Sequence, residues 1–378
     1  MNISVKSWNC PYCPTEKDWW INWSALEAEF DWLRSLADCP QNPDYHAEGD
    51  VLTHTKLVCE ALVALPRWRA LPPTQRSVLF AAALLHDVAK PASTQIEADG
   101  TITSKGHVLQ GSKMTQQILW DLRVPFLERE AIVALVRYGS LPLWFWDKPN
   151  PEKAVIKASQ IIRCDLLSLL AEADVRGRYC NDQAHLLERI EFFREFAQEN
   201  HCFDQPRSFP SPHSRFIYFH KEHRSPDYQA YDDTCFQVLL MSGLPGVGKD
   251  TWIQHNFPDL PVISLDKLRQ KMGIEPSDKQ GAVVNAAKAI AKNYMRGGQS
   301  FVWNATNLSQ QLRGKLISLF ANYQGKIRIV YLESPWEELL QRNHNRTNRL
   351  PEKVLYRMRH RLEVPNITEA HQVDWLID

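Results

Sequence analysis

Apolar side chains recur every three to four positions over Trp23–Leu36, Leu52–Leu65, Gln75–Leu85, Gln110–Leu122, Glu128–Val136, Ala154–Asp174 and Ala184–Phe196. That period predicts helices, each burying one face in a common core. Strand-like alternation is scarce in this part of the chain. From Phe236 the pattern changes: short apolar runs, Phe236–Met241, Pro261–Ser264, Phe301–Asn304 and Ile327–Leu332, alternate with helical stretches, the longest being Lys279–Met295. Buried strands of this length joined by helices predict a parallel sheet with helices on both faces. Between the two patterns, Phe203–Asp233 carries Pro206, Pro210, Pro212 and Pro226 with no sustained period, and its aromatics (Phe216, Tyr218, Phe219, Tyr228, Tyr231) favour a segment packed on one domain. The expected class is α followed by α/β: an all-helical domain over 1–202, a Pro/aromatic-rich linker over 203–235, and a parallel-sheet domain over 236–378.

A length of 378 residues with 44% hydrophobic and 23% charged side chains suits two globular domains and excludes disordered, collagenous and coiled-coil classes. Basic and acidic residues balance at 44 each, which alone argues against a nucleic-acid partner. The balance conceals an asymmetry. Residues 1–235 hold 25 basic and 31 acidic side chains, a net of −6, whereas residues 236–378 hold 19 and 13, a net of +6. The second part is the one suited to approach a polyanion. The longest apolar run, Val78–Leu85, is far short of the roughly 20 residues that span a bilayer. Together with an N-terminus lacking a signal-peptide core, it predicts a soluble cytoplasmic protein without membrane contact. Eight cysteines are too sparse for a disulfide scaffold, and the lone Cys10-Pro-Tyr-Cys13 reads as structural or incidental.

Candidate chemistry begins after the first apolar run of the second part. Gly243-Leu-Pro-Gly246-Val-Gly248-Lys249-Asp250-Thr251-Trp252 lies between a predicted strand and a predicted helix. Such a loop turns backbone N–H groups inward to cradle phosphates, and Lys249 adds a point charge for the β and γ phosphates. The strict pattern has Ser or Thr after the Lys as a magnesium ligand; here Asp250 stands there, with Thr251 one place later. A carboxylate can hold magnesium directly or through water. The nucleotide-binding candidates are therefore Gly243, Gly246, Gly248, Lys249, Asp250 and Thr251, with ATP or another NTP and Mg2+ as cofactors.

The loop resembles that of polynucleotide 5′-hydroxyl kinases, which also reads Gly-x-Pro-Gly-x-Gly-Lys and ends in Thr-Trp. That family places Asp-x-x-Arg after its second strand, where this chain has Asp266-Lys-Leu-Arg269. The resemblance implies Asp266 as acceptor of the attacking hydroxyl's proton and Arg269 as a clamp on the acceptor's phosphate. Phe301-Val-Trp-Asn304-Ala-Thr306-Asn307 resembles the family's strand with a Thr-Asn pair, with Ala305 where an Asp is frequent. Arg342-Asn-His-Asn-Arg346-Thr-Asn-Arg349 resembles the kinase lid, Arg346 standing where an arginine reaches the transferring phosphoryl group. From Arg342 to Arg361 seven Lys/Arg face one Glu352, a strip suited to a polyanionic acceptor.

In the first part, His54 lies on a predicted helix and Leu84-Leu-His86-Asp87-Val-Ala-Lys90-Pro91 closes another. Burying His and Asp there is costly without partners, and a divalent metal resolves the cost; two imidazoles and a carboxylate suit Mn2+, Fe2+, Co2+, Ni2+ or Zn2+. The order His54, His86-Asp87, Asp174 resembles the HD phosphohydrolase superfamily. Ala173-Asp174-Val-Arg-Gly177-Arg178 is similar to the run closing the HD domain of tRNA nucleotidyltransferases. The resemblance implies His54, His86, Asp87 and Asp174 as metal ligands, and Lys90 and His107 as contacts to phosphate or a second metal. His46 and Glu48 can line the same pocket. Binuclear HD enzymes carry further histidines on later helices; Val136–Pro142 has none.

HD domain first and kinase domain second resembles the bacterial HD-Pnk family of RNA-repair enzymes. By that resemblance, the first domain removes 2′,3′-cyclic or 2′/3′-phosphate from one RNA end. The second phosphorylates the 5′-hydroxyl of another RNA, or of DNA, and a separate RNA ligase seals the products. The rival readings are an HD nucleotidase fused to a small-molecule kinase, and a nucleotide-gated regulator.

Overall fold

The computed structural model describes residues 8–275, 278, 280–345 and 349–378. The chain forms two compact units, Met1–Arg207 and Ser208–Asp378.

The first unit is a helical bundle with one small antiparallel hairpin, β1 (Gln95–Ile96) and β2 (Ile102–Thr103). Its principal helices are Val51–Ala64, Pro73–Leu85, His107–Asp121, Phe126–Tyr138, Cys164–Arg176 and Gln183–Glu199. Every residue from Arg76 to Leu85 is buried, as is nearly all of Cys164–Val175. Helices apolar all round belong at the centre of a bundle, and these two end at His86-Asp87 and just beyond Asp174. Val51–Ala64 packs against both. It starts cleanly because the Asp50 carboxylate accepts from Thr53 N–H at 2.7 Å. Gly177 ends the Cys164 helix so close to Val51–Ala64 that a Cβ there would lie 2.7 Å from both Cγ2 and backbone N of Val58.

Two stretches with continuous helical periodicity are broken in the structure. Trp23–Leu36 divides at Phe30, whose backbone is extended, into Trp23–Glu29 and Asp31–Arg34. Ala154–Asp174 divides into Pro151–Ser159 and Cys164–Arg176. Both pieces of the latter bury apolar side chains, so the apolar spacing continues through a turn that periodicity alone does not reveal.

The second unit is a five-stranded, wholly parallel sheet: β3 (Phe236–Ser242), β4 (Val262–Ser264), β5 (Phe301–Asn304), β6 (Gly325–Glu333) and β7 (Gln372–Ile377), in the order β4-β5-β3-β6-β7. Central β3 is buried along almost its whole length and shares its core with Ile329, Phe301 and Phe320. The edge strand β7 was outside the sequence expectation, its pattern being half-exposed with one neighbour. The Pro-rich stretch contributes the helix Pro212–His220 to this unit. Phe216 enters the core and stacks on His371 at 3.9 Å, and His371 Nδ1 accepts from Ile327 N–H at 3.1 Å.

Arg313, fully buried on the helix Gln310–Ala321, grips Glu369 through two bonds of 2.7 and 2.9 Å. Its remaining Nη1 donates to the carbonyls of Asn307, Leu308 and Glu363. Replacing one member of a buried pair strands the other's charge. Arg313→Met is expected to lower the unfolding free energy of this unit by about 3–5 kcal/mol, read by denaturant titration of the full chain, with Arg313→Met/Glu369→Gln recovering part. An unchanged midpoint in the single variant would remove the pair from the account of stability.

Candidate functional site

In the first unit the structure brings His54, His86, Asp87 and Asp174 together. His54 Nε2 lies 3.1 Å from Asp174 Oδ1, 3.3 Å from His86 Nε2 and 3.8 Å from Asp87 Oδ2, and His86 Nε2 lies 3.3 Å from Asp87 Oδ2. His86 Nδ1 is 2.7 Å from the Ala83 carbonyl, which only accepts, so this nitrogen carries the hydrogen and Nε2 presents its lone pair. His54 lies between two carboxylates, its Nδ1 2.8 Å from Glu48 Oε1 and its Nε2 3.1 Å from Asp174 Oδ1, with His86 Nε2 3.3 Å away. A proton on His54 or a divalent cation balances the carboxylates gathered there. Two imidazoles with backing acceptors and two carboxylates are a donor set that fits a transition-metal ion.

Glu48 has a part that sequence spacing only hinted at. Its Oε1 faces His46 Nδ1 and His54 Nδ1, each at 2.8 Å, and its Oε2 accepts from Tyr179 N–H at 2.9 Å. Burial pushes the Glu48 carboxyl up, but the bonds from His46 and His54 outweigh it and hold it below its ordinary value. Asp87 follows the same logic: burial raises it, and Lys90 and His86 bring it well below the usual carboxylate range. For Asp174, burial is outweighed by Arg178 and His54. Burial lowers His54, yet its contacts with Asp174 and Glu48 leave it above its ordinary value.

His46, His86, Asp87 and Asp174 line a cleft of 530 Å³, with His54 and Glu48 behind them. Lys90 lines it and is engaged, its Nζ 2.7 Å from Asp87 Oδ2 and 2.6 Å from Gln41 Oε1. His107 opens its helix with Nδ1 on the Ser104 carbonyl at 2.6 Å and Nε2 3.8 Å from Asp87 Oδ1. Arg178, one turn after Asp174, pairs with it and lines the cleft too. Where a further histidine is absent from the sequence, the lining is Val136, Gly139 and Ser140. Cys10 and Cys13 stand apart from this chemistry: both are free thiols, and burial pushes Cys13 up to about 12 and Cys10 well above its ordinary value.

The second unit positions the glycine loop between β3 and the helix Lys249–Asn256. Gly243, Gly246 and Gly248 all have positive φ, and a Cβ on Gly243 would lie 2.5 Å from the Leu332 carbonyl oxygen. Lys249 Nζ donates to the Gly243 and Leu244 carbonyls at 3.0 and 2.8 Å, folded over the loop it serves. Asp250 is exposed in the first helical turn and accepts from Asn304 Nδ2 at 2.7 Å, while Thr251 is exposed beside it. Three residues at and just beyond the end of β5 act as braces: Asn304 on Asp250, the Thr306 carbonyl on Gly243 N–H at 3.0 Å, and Asn307 Nδ2 on the Met241 carbonyl at 2.6 Å.

Asp266 and Arg269 are ion-paired on the helix Leu265–Lys271, and Arg269 Nε also bonds Gln280 Oε1 at 2.7 Å. Arg346 lies outside the described residues. The basic strip is not uniform. Arg342 is tied to Glu338, Ser334 and Asp378, and Arg359 is buried 4.7 Å over the Trp336 ring. Arg349, Lys353, Arg357 and Arg361 are exposed.

Residues 238–365 match the family model for an AAA domain. The chain is 30% identical over 172 residues to a multifunctional CCA protein of Ralstonia nicotianae, covering 43% of this chain and 36% of that protein. It is 21% identical over 141 residues to an L-seryl-tRNA(Sec) kinase of Methanococcus maripaludis, covering 35% and 55%. The chain therefore spans between a third and just over half the length of these curated relatives. Among solved structures, a sugar kinase from Janibacter sp. HTCC2649 aligns at 19% identity and a TM-score of 0.30, covering 38% of this chain and 85% of that one. The C-terminal part is a P-loop kinase-like domain, a fold that implies an NTP and Mg2+ as its ligands. Among the described residues no helix is long and apolar enough to cross a membrane.

Removing a carboxylate that orients a ligating histidine typically weakens metal binding about 10–100-fold. Glu48→Ala is expected to do so for Mn2+ titrated calorimetrically into the metal-free full chain. An unchanged affinity would strip Glu48 of that part.

Proposed function

We propose that the chain is a bifunctional RNA end-healing enzyme. Its helical unit is a metal-dependent phosphohydrolase of HD type that removes 2′,3′-cyclic phosphate or 2′/3′-phosphate, and its P-loop unit phosphorylates 5′-hydroxyl polynucleotide ends with an NTP. The observation carrying the first half is the convergence of His54, His86, Asp87 and Asp174 on one point in the wall of a cleft that also presents Lys90, His107 and Arg178. The kinase half is supported by the glycine loop in its strand-to-helix setting and by the family match over 238–365. A relative whose name gives it a tRNA-borne acceptor supports RNA as the substrate class.

A divalent ion held by the four-residue set supplies polarisation of a phosphoryl oxygen and a lowered pKa for water. The protein does the rest: Lys90, His107 and Arg178 draw an anionic ester into the cleft, and Glu48 keeps His54 turned toward the ligand set. In the kinase unit, Lys249 exchanges the Gly243 and Leu244 carbonyls for the β and γ phosphates. Asp266 takes the proton of the 5′-hydroxyl once Arg269 has moved to the acceptor's phosphate. Asp250 and Asn304 fix the magnesium side of the loop, and the exposed Arg349, Lys353, Arg357 and Arg361 give the RNA backbone its electrostatic footing. A separate ligase consumes the 3′-hydroxyl and 5′-phosphate so formed.

The test incubates the full chain with Mn2+, ATP and an RNA bearing both end types, following each end. Asp87→Ala is expected to abolish end dephosphorylation and spare 5′ phosphorylation; loss of both would refute two independent sites. Lys249→Ala and Asp266→Ala are expected to lower 5′ phosphorylation at least 100-fold, on the order of the contribution of phosphate clamps and positioned bases. Transfer surviving either change, or a preference for a free nucleoside over an oligonucleotide, would overturn the kinase assignment.

A further inference from the structure

The cleft of the helical unit is much larger than a phosphate group, and its rim is not built from phosphate-binding chemistry. Tyr45 and Trp144 line it together with His46, His86 and Asp87, and both remain accessible, Tyr45 at 57% and Trp144 at 43%. The backbone beneath each ring is fixed. Tyr45 sits in a turn whose N–H groups, its own and that of His46, donate to the Asn42 carbonyl at 3.1 and 2.9 Å, and the neighbouring His46 is fastened to Glu48. Trp144 ends the short helix Leu141–Trp144, whose other three residues are buried. Arg189 covers the Trp144 ring with its guanidinium carbon 4.8 Å from the centroid, and the same guanidinium is held by the Leu143 carbonyl at 2.9 Å and Asp147 at 3.3 Å. Trp146, also exposed on this unit, packs on Phe192 and Phe196. Tyr45 and Trp144 line the cleft that carries the candidate metal set.

We infer that Tyr45 and Trp144 form a nucleobase subsite, so that the cleft selects phosphate esters carried by a nucleotide over esters without a base. A flat aromatic ligand is the one chemistry that uses exposed rings beside Lys90, Arg178 and the metal set. Its π face stacks on the side chains while its anionic ester reaches the cations. The volume of 530 Å³ suits a ligand of nucleotide size. Because stacking tolerates any base, the subsite recognises that a base is present without reading its identity. The inference rests on the phosphohydrolase reading of this cleft and adds to it the two side chains that hold the base.

The experiment compares wild type, Trp144→Ala, Trp144→Phe and Tyr45→Ala as full chains loaded with Mn2+. Each is assayed on a nucleoside 2′,3′-cyclic monophosphate, on an oligoribonucleotide ending in the same group, and on the base-free ribose 2′,3′-cyclic phosphate. Wild type is expected to favour both nucleotide substrates. In each alanine variant the ratio of kcat/KM, nucleotide over base-free, is expected to fall about tenfold, mainly through KM, in keeping with base–aromatic stacking. Trp144→Phe restores most of it. A larger effect on the oligonucleotide than on the mononucleotide assigns the rings to an RNA end; equal effects assign them to any nucleotide. An unchanged ratio in Tyr45→Ala and Trp144→Ala overturns the subsite, and should Trp144→Ala not fold, Tyr45→Ala and Trp144→Phe decide alone. If wild type hydrolyses none of the three, the phosphohydrolase reading fails separately. Calorimetric titration with a nucleoside 2′-monophosphate then judges the rims: equal affinity in wild type and alanine variants, or no binding to wild type, overturns the proposal.

Discussion

Two carboxylates inside a helical bundle set the terms for everything around them in the first unit. A charge taken from water into an apolar core needs compensation close by, and Asp87 and Asp174 have it on every side: Lys90 and His86 for one, Arg178 and His54 for the other. His54 serves two carboxylates at once, Glu48 at Nδ1 and Asp174 at Nε2, while the Ala83 carbonyl fixes His86 so that its Nε2 faces them. Acceptors thus crowd toward one point of the bundle from four separate stretches of the chain.

The second unit solves a different problem with similar means. A glycine loop that binds phosphate through backbone N–H groups must hold its shape without side chains of its own. Here the support comes from the end of β5, where Asn304, Thr306 and Asn307 reach Asp250, Gly243 and Met241. Arg313 fixes that segment in turn through the carbonyls of Asn307 and Leu308, and Glu369 fixes Arg313. The stiffness of the loop therefore derives from a buried ion pair well removed from it in sequence.

What the sequence made legible was whatever is written in consecutive residues. The glycine loop with Lys249, the His86-Asp87 pair and the strand-helix alternation after Phe236 all declare themselves locally, because their chemistry depends on near neighbours. The order of the helices and the residue types at His54 and Asp174 indicated a shared site through resemblance. Partnerships across the chain were not legible: Glu48 bridging two histidines, Asn304 on Asp250, and Arg313 on Glu369 depend on the tertiary fold. Asp266 and Arg269, given separate parts by the resemblance to polynucleotide kinases, bond to each other in the structure. The half-exposed β7 and the breaks at Phe30 and before Cys164 escaped periodicity for the same reason, since each depends on which faces the core covers.

Gly177 shows how little slack the first site has. The segment bearing Asp174 meets the His54 helix where Gly177 rests directly on the backbone and Cγ2 of Val58, with no Cβ of its own to hold them apart. Any larger residue there would push the two helices away from each other, and with them Asp174 from His54. A position that carries no chemistry of its own thus sets the spacing of two that do.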